Sequence, residues 1–170
     1  MSEFHNKYQT GGLQHLLARQ VRREVGAAVF DNYLRFSLVR NPWDKAVSQY
    51  AYMAQRPDLR RFVGMPEACE FKRYLELIEH RRHVQWEPQL NFLVDEQGQW
   101  LVDHIGRYEE FDRCVPQLLR LLGITAGELP RVNPSQRRPY PTYYDDESRD
   151  MVAERYADDI RAFGYRFDAA

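Results

Sequence analysis

Phe36 to Tyr50 reads FSLVRNPWDKAVSQY, and its residue types are those of an anion-binding turn. Leu34 to Val39 (LRFSLV) is short, apolar and partly β-branched, the composition of a buried strand. Arg40 falls where that strand ends. Asn41 then supplies a cap and Pro42 a first helical position for the helix that carries Ser48. In an open α/β sheet, ligands bind outside the carboxyl ends of the strands. A helix N-terminus there offers N–H groups and positive dipole, and Arg40 offers a fork of donors matched to a phosphate. A helix hydroxyl such as that of Ser48 can complete the shell. The same pattern also describes an ordinary strand-to-helix junction with Arg40 in a salt bridge, and pattern alone leaves the two readings even.

The elements around this turn must position it. Leu13, Leu16, Leu17, Val21 and Val25 recur near helical spacing, which predicts a helix over 13–25 stopped by Gly26. The helix opened by Pro42 runs to about Gln55, and Pro66 opens another, PEACEFKRYLELIEHRR, over 66–82. A looser segment holding Trp86, Pro88 and Gln89 follows. DEQGQ at 95–99 is a turn signal between NFLV and WLVDHI, compatible with a hairpin. Helix returns over about 109–122, with Pro116 predicting a kink or a fresh start, and stops at Gly123. Residues 130–143, PRVNPSQRRPYPTY, read as a Pro- and Arg-rich loop. The last helix, 145–163, is acid-rich at its start and ended by Gly164. A buried strand feeding a helix belongs to parallel α/β folds, so a helix-rich α/β chain forming one domain over 1–170 is expected.

The chain has 170 residues, a formal net charge of −1, 44% hydrophobic and 29% charged residues. That size buries a core without staples, and the composition excludes the disordered and collagen-like classes. No run of about 18 apolar residues occurs, so nothing reads as a membrane span. The start, MSEFHNKYQTGG, lacks the apolar region of a signal peptide. Cys69 and Cys114 sit far apart on helical segments, which points to a reduced, cytoplasmic setting rather than a disulfide framework. His5, His80, His83 and His104 lack metal-ligand spacing on one face, so no metal site is expected. Near-neutral charge argues against a nucleic-acid coat or a polybasic membrane binder. Paired arginines (22–23, 60–61, 81–82, 137–138) read individually as solvated faces.

R-N-P with a Ser eight residues after the Arg resembles the 3′-phosphate-binding motif of sulfotransferases, which use 3′-phosphoadenosine 5′-phosphosulfate (PAPS). The likeness is to the bacterial and Golgi carbohydrate sulfotransferase branch. HLLARQVRREVG (15–26), FDNYLRFSLVRNPWDKAVSQY (30–50), EPQLNFLVDEQGQWLVDHIGRYEEF (87–111) and YYDDESRDMVAERYADDIRAFGYRF (143–167) follow in the branch's order. The resemblance implies a P-loop-nucleotide-type three-layer α/β/α fold, here with a reduced parallel sheet of few strands, and PAPS as co-substrate without a metal. It implies that Arg40 and Ser48 hold the donor's 3′-phosphate, while Lys45 stands where the branch often has Arg.

The loop with Arg137 and Arg138 resembles the late basic loop that closes over the nucleotide. A solvent-exposed loop and an RNA contact through interleaved Arg and Tyr are its other readings, and no nucleic-acid partner is expected. His15 resembles the His that precedes the strand, a neutral base at pH 7 for the acceptor hydroxyl; a capping or surface histidine is the alternative. Gln89 matches a position near the acceptor cleft and, with Trp86, would line a carbohydrate site, with core packing as the other reading.

Sulfotransferases also carry a 5′-phosphosulfate loop, after a first strand, whose N–H groups cradle the 5′-phosphate and whose Lys neutralises charge as sulfate leaves. It belongs before His15. The fourteen residues there hold no apolar run, and Lys7-Tyr8-Gln9-Thr10-Gly11-Gly12 lacks the usual K-x-G-T-[ST] order, so 1–12 reads as a flexible lead-in. The expectation is a carbohydrate sulfotransferase-like chain with a truncated start. Its alternatives are a non-catalytic relative that binds a 3′-phosphonucleotide or a protein partner, and, more remotely, a helical interaction protein. Apolar surface left by a missing first strand would favour homo-oligomers.

Overall fold

A computed structural model describes residues 15–125 and 137–168 of the chain. The Lys7–Gly12 segment and the expected lead-in lie outside them. In chain order the elements are α1 (Ala18–Val25), α2 (Ala27–Asn32), β1 (Phe36–Val39), α3 (Pro42–Ala54), α4 (Pro57–Val63), α5 (Phe71–Ile78), β2 (His104–Arg107), α6 (Phe111–Leu121), α7 (Asp146–Arg155) and α8 (Ala157–Phe163). Two compact units result. The described residues 15–40 and 89–125 make a sheet unit, and 41–88 with 137–168 make a helical unit.

In the sheet unit, α1 starts at Ala18, five residues later than the apolar spacing predicts. The Gln20 side chain accepts the Leu17 N–H (2.8 Å) and fixes that start, while the Leu17 side chain is buried. Gly26, at φ 84°, takes a conformation that L side chains rarely adopt and breaks the chain between α1 and α2, a helix the sequence reading missed. β1 and β2 pair in parallel, Phe36 with His104 through Val39 with Arg107. Arg35 and Asp103 set this register just outside the ladder. The Arg35 guanidinium donates to both Asp103 oxygens (2.9 and 2.6 Å) and its backbone N–H to one of them (2.9 Å). That fork holds the Asp103 carboxyl down at about 2. Asp103 and His104 N–H groups return the contact to the Arg35 carbonyl (2.8 and 3.1 Å).

α6 lies over this pair, and the approach is close at Gly106. A Cβ built there would meet Leu38 Cδ2 at 2.6 Å and Cys114 Sγ at 2.9 Å. The expected hairpin shrinks to one antiparallel bridge, Val94 with Trp100, around an Asp95–Gly98 turn (Gly98 N–H to Asp95 O, 3.2 Å). The run after it continues into β2 instead. Pro116 sits inside α6 without a fresh start. The outcome is the expected class: helix-rich α/β with a small parallel sheet.

The helical unit packs around α3. Trp43, Ala46, Val47 and Met53 recur at helical spacing and are all buried, with Tyr50 on the same stripe. Tyr50, Phe71, Tyr74, Tyr143 and Tyr144 surround that stripe in edge-on and tilted contacts 4.9–6.5 Å between ring centres. Pro66 does not open the next helix. The Tyr50 hydroxyl donates to the Cys69 carbonyl (2.6 Å), the chain stays irregular through 66–70, and α5 begins only at Phe71. The final helix is broken at Tyr156 (φ −112°, ψ 28°), whose buried ring sends its hydroxyl to the Trp86 carbonyl (3.0 Å). No described helix is long and apolar enough to cross a membrane.

Candidate anion-binding site

The sheet unit holds Arg40 in a defined way. Because Val39 pairs with Arg107, parallel geometry brings the next residues, Arg40 and Tyr108, side by side at the carboxyl end of the sheet. The Arg40 guanidinium carbon lies 4.4 Å from the centre of the Tyr108 ring, which is 49% exposed. Behind it, the Gln89 side-chain amide reads the Arg40 backbone twice. Its oxygen accepts the Arg40 N–H and its NH2 donates to the Arg40 carbonyl, each at 2.8 Å. An aromatic platform under the cation and an amide on the backbone leave the guanidinium fork with a fixed direction.

In the helical unit the rest of the motif does separate work. The Asn41 oxygen caps α3 by accepting the Trp43 N–H (3.1 Å), and its Nδ2 donates to the Arg166 carbonyl (3.1 Å). Pro42 takes the first helical position. Trp43 is core, with its indole N–H on the Arg149 carbonyl (3.0 Å). Asp44, in the first turn, pairs with Arg137, and both side chains are largely buried. That pair offsets the carboxylate that would otherwise repel an anion at this helix end. Ser48 is half-buried and lies one turn from Asp44 on the same helix face. Arg138 is exposed, its guanidinium 5.1 Å from the centre of the Tyr143 ring.

Lys45 points inward. Its ammonium donates to the Glu87 carbonyl (2.7 Å) and lies 4.8 Å from the Tyr156 ring centre. Desolvation pushes its pKa down to about 8, Arg155 adds to the fall, and Asp159 and Glu87 oppose it. An unfolded Lys titrates near 10.4. Between pH 8 and that value the unfolded chain therefore binds more protons than the folded one, so this group makes stability rise with pH. Urea unfolding should show a Lys45-dependent gain on the order of 1 kcal/mol from pH 8 to 9.5, absent in Lys45→Met. Above pH 10 the buried Tyr74, Tyr144 and Tyr156, whose pKa values are raised chiefly by burial, act in the opposite direction.

His15 is exposed at the edge of the described residues, in a turn at φ 62°. Trp86 is 0% exposed, and its indole N–H donates to the Arg81 carbonyl (2.6 Å), so it packs the helical unit and presents no face to a sugar. Of the sequence-derived candidates, Arg40 and Gln89 are in direct contact within the sheet unit. Ser48, Trp86, Arg137 and Arg138 belong to the helical unit. Sequence reading missed Tyr108 and Asp44. Tyr108 was recoverable only by pairing HIGR with LRFSLV in parallel, since the residue after each strand end then falls beside the other.

The family model for the sulfotransferase family matches residues 2–166. An uncharacterized protein of Archaeoglobus fulgidus is 29% identical over 124 residues, covering 68% of this chain and 89% of the archaeal one. No solved structure matches the chain.

Proposed function

The chain belongs to the sulfotransferase family, and from that membership we propose that it transfers a sulfuryl group from PAPS to a hydroxyl of a carbohydrate acceptor. The observation that carries this reading is Arg40, a cation at the carboxyl end of a parallel strand, braced by Gln89 and Tyr108. Arg40 and Ser48 hold the donor's 3′-phosphate, with Arg137 and Arg138 beside the nucleotide. Positioning of this kind supplies most of the rate in an in-line transfer. The acceptor oxygen bonds to sulfur as the bond from sulfur to the 5′-phosphate oxygen breaks. The hydroxyl proton passes to His15, and adenosine 3′,5′-bisphosphate leaves.

Calorimetry with adenosine 3′,5′-bisphosphate tests the donor half of the reading. The parent chain should bind. Arg40→Ala should weaken binding about 100-fold and Ser48→Ala about tenfold, with melting temperatures unchanged. No binding at millimolar ligand overturns the reading. Transfer of labelled sulfate to a glycan panel, lost in His15→Ala, tests the reaction. Binding without any transfer would make the chain a non-catalytic relative instead.

A further inference from the structure

We propose that Gln89 is a positioning residue for anion recognition, acting as a substitute strand that holds the Arg40 backbone while Tyr108 supports its guanidinium. The proposal rests on the reading that Arg40 binds a phosphate. Its starting point is the end of the ladder. β1 pairs with β2 only through Val39, so Arg40 stands one step past the last ladder pair. There its N–H and C=O meet the Gln89 amide, acceptor to donor and donor to acceptor, both at 2.8 Å. A primary amide offers the same two groups as a neighbouring peptide, in one plane. Only one orientation of the Gln89 amide satisfies both contacts, because turning it over would set N–H against N–H and oxygen against oxygen.

Gln89 is itself anchored. Its backbone carbonyl accepts the Phe92 N–H (3.0 Å) at the start of a short 3-10 turn, Leu90–Phe92. The Leu101 N–H in turn reaches the Leu93 carbonyl (2.8 Å). The amide therefore sits on a built support rather than on a free arm. Tyr108 adds the second point of control at 4.4 Å, fixing the cation end as Gln89 fixes the backbone end. Gln89 thereby influences the ligand through Arg40, whose backbone it holds.

Two variants separate this role from simple packing. Gln89→Leu removes both hydrogen bonds. Gln89→Glu keeps the acceptor but, when ionised, sets a carboxylate oxygen against the Arg40 carbonyl; protonation restores a donor and hence the pair. Affinity for adenosine 3′,5′-bisphosphate, measured well below the variant's lowered melting temperature, should fall about tenfold in Gln89→Leu at pH 7.5. In Gln89→Glu the deficit relative to the parent chain, measured at the same pH, should shrink several-fold between pH 7.5 and about 4.5, where a glutamic acid takes up its proton. Hydrogen exchange at the Arg40 amide should quicken in Gln89→Leu even without ligand. Parent-like affinity in Gln89→Leu, or equal deficits for both variants at both pH values, overturns the proposal. A parent chain that does not bind, or Arg40→Ala that binds as the parent does, overturns the phosphate reading itself and this inference with it.

Discussion

Asp159→Ala is expected to lower the unfolding free energy by about 3–5 kcal/mol, read as a lower urea midpoint. Asp159 is 0% exposed in the first turn of α8. Its charge favours the protonated, cationic form of Lys45, whose ammonium is desolvated against Tyr156. Arg155 adds a second cation to the same neighbourhood. Removing the carboxylate leaves Glu87 as the acidic side chain still acting on Lys45. A buried pair contributes little beyond its own desolvation cost, yet stranding one member is expensive. Asp159→Asn, which keeps the volume and removes the charge, should therefore cost nearly as much as Asp159→Ala. Lys45→Met combined with Asp159→Leu should recover most of the loss. If Asp159→Asn is neutral, the residue acts through packing and the charge argument fails.

The same cluster satisfies the backbone of a long irregular segment. Arg155 donates to the carbonyls of Ile78 (3.2 Å), Glu79 (2.9 Å), Arg81 (3.3 Å) and Trp86 (3.5 Å). Lys45 takes the Glu87 carbonyl and Tyr156 shares that of Trp86. Backbone groups that no helix or ladder satisfies are collected by two cations and a phenol. The break between α7 and α8 follows from this, since it delivers the Tyr156 hydroxyl to Trp86.

Local signals were legible in the sequence and distant pairings were not. Asn41 and Pro42 announce the start of α3 from neighbouring residues alone, and Gly164 announces the end of α8. β2 is four residues with a histidine, a glycine and an arginine, and nothing in HIGR demands a strand. Its conformation comes from β1, held by an Arg35–Asp103 fork across 68 residues of chain. Arg137 was legible as a cation, but its Asp44 partner lies 93 residues away. Trp86 stayed open between two readings for a related reason. An aromatic residue near Pro and Gln fits a sugar site or a core equally well by type, and only burial separates the two. Gln89 stands out by type beside Pro88, while its contact with the Arg40 backbone depends on tertiary placement across 49 residues of chain.

Gly106→Val is expected to cost about 3 kcal/mol or more, and the reason links the fold to the site. Valine suits a strand, which favours the substitution by at most about 1 kcal/mol. Against that, the new Cβ would lie 2.6 Å from Leu38 Cδ2 and 2.9 Å from Cys114 Sγ, with Cys114 Cβ at 3.2 Å. The two branch carbons of valine would crowd the sheet–α6 contact further. Leu38 and Cys114 present flexible ends, so Gly106→Ala should be milder, about 1–2 kcal/mol. Cys114→Ala should relieve part of that strain, giving a double variant more stable than the two single costs predict when added. Additive costs would show that the clash is with Leu38 rather than with the thiol. The consequence reaches the anion site because Gly106 is two residues from Tyr108, the platform under Arg40. Crowding that shifts the end of β2 moves the platform. Folded Gly106→Ala should therefore bind adenosine 3′,5′-bisphosphate several-fold more weakly than the parent, although residue 106 touches no part of the ligand.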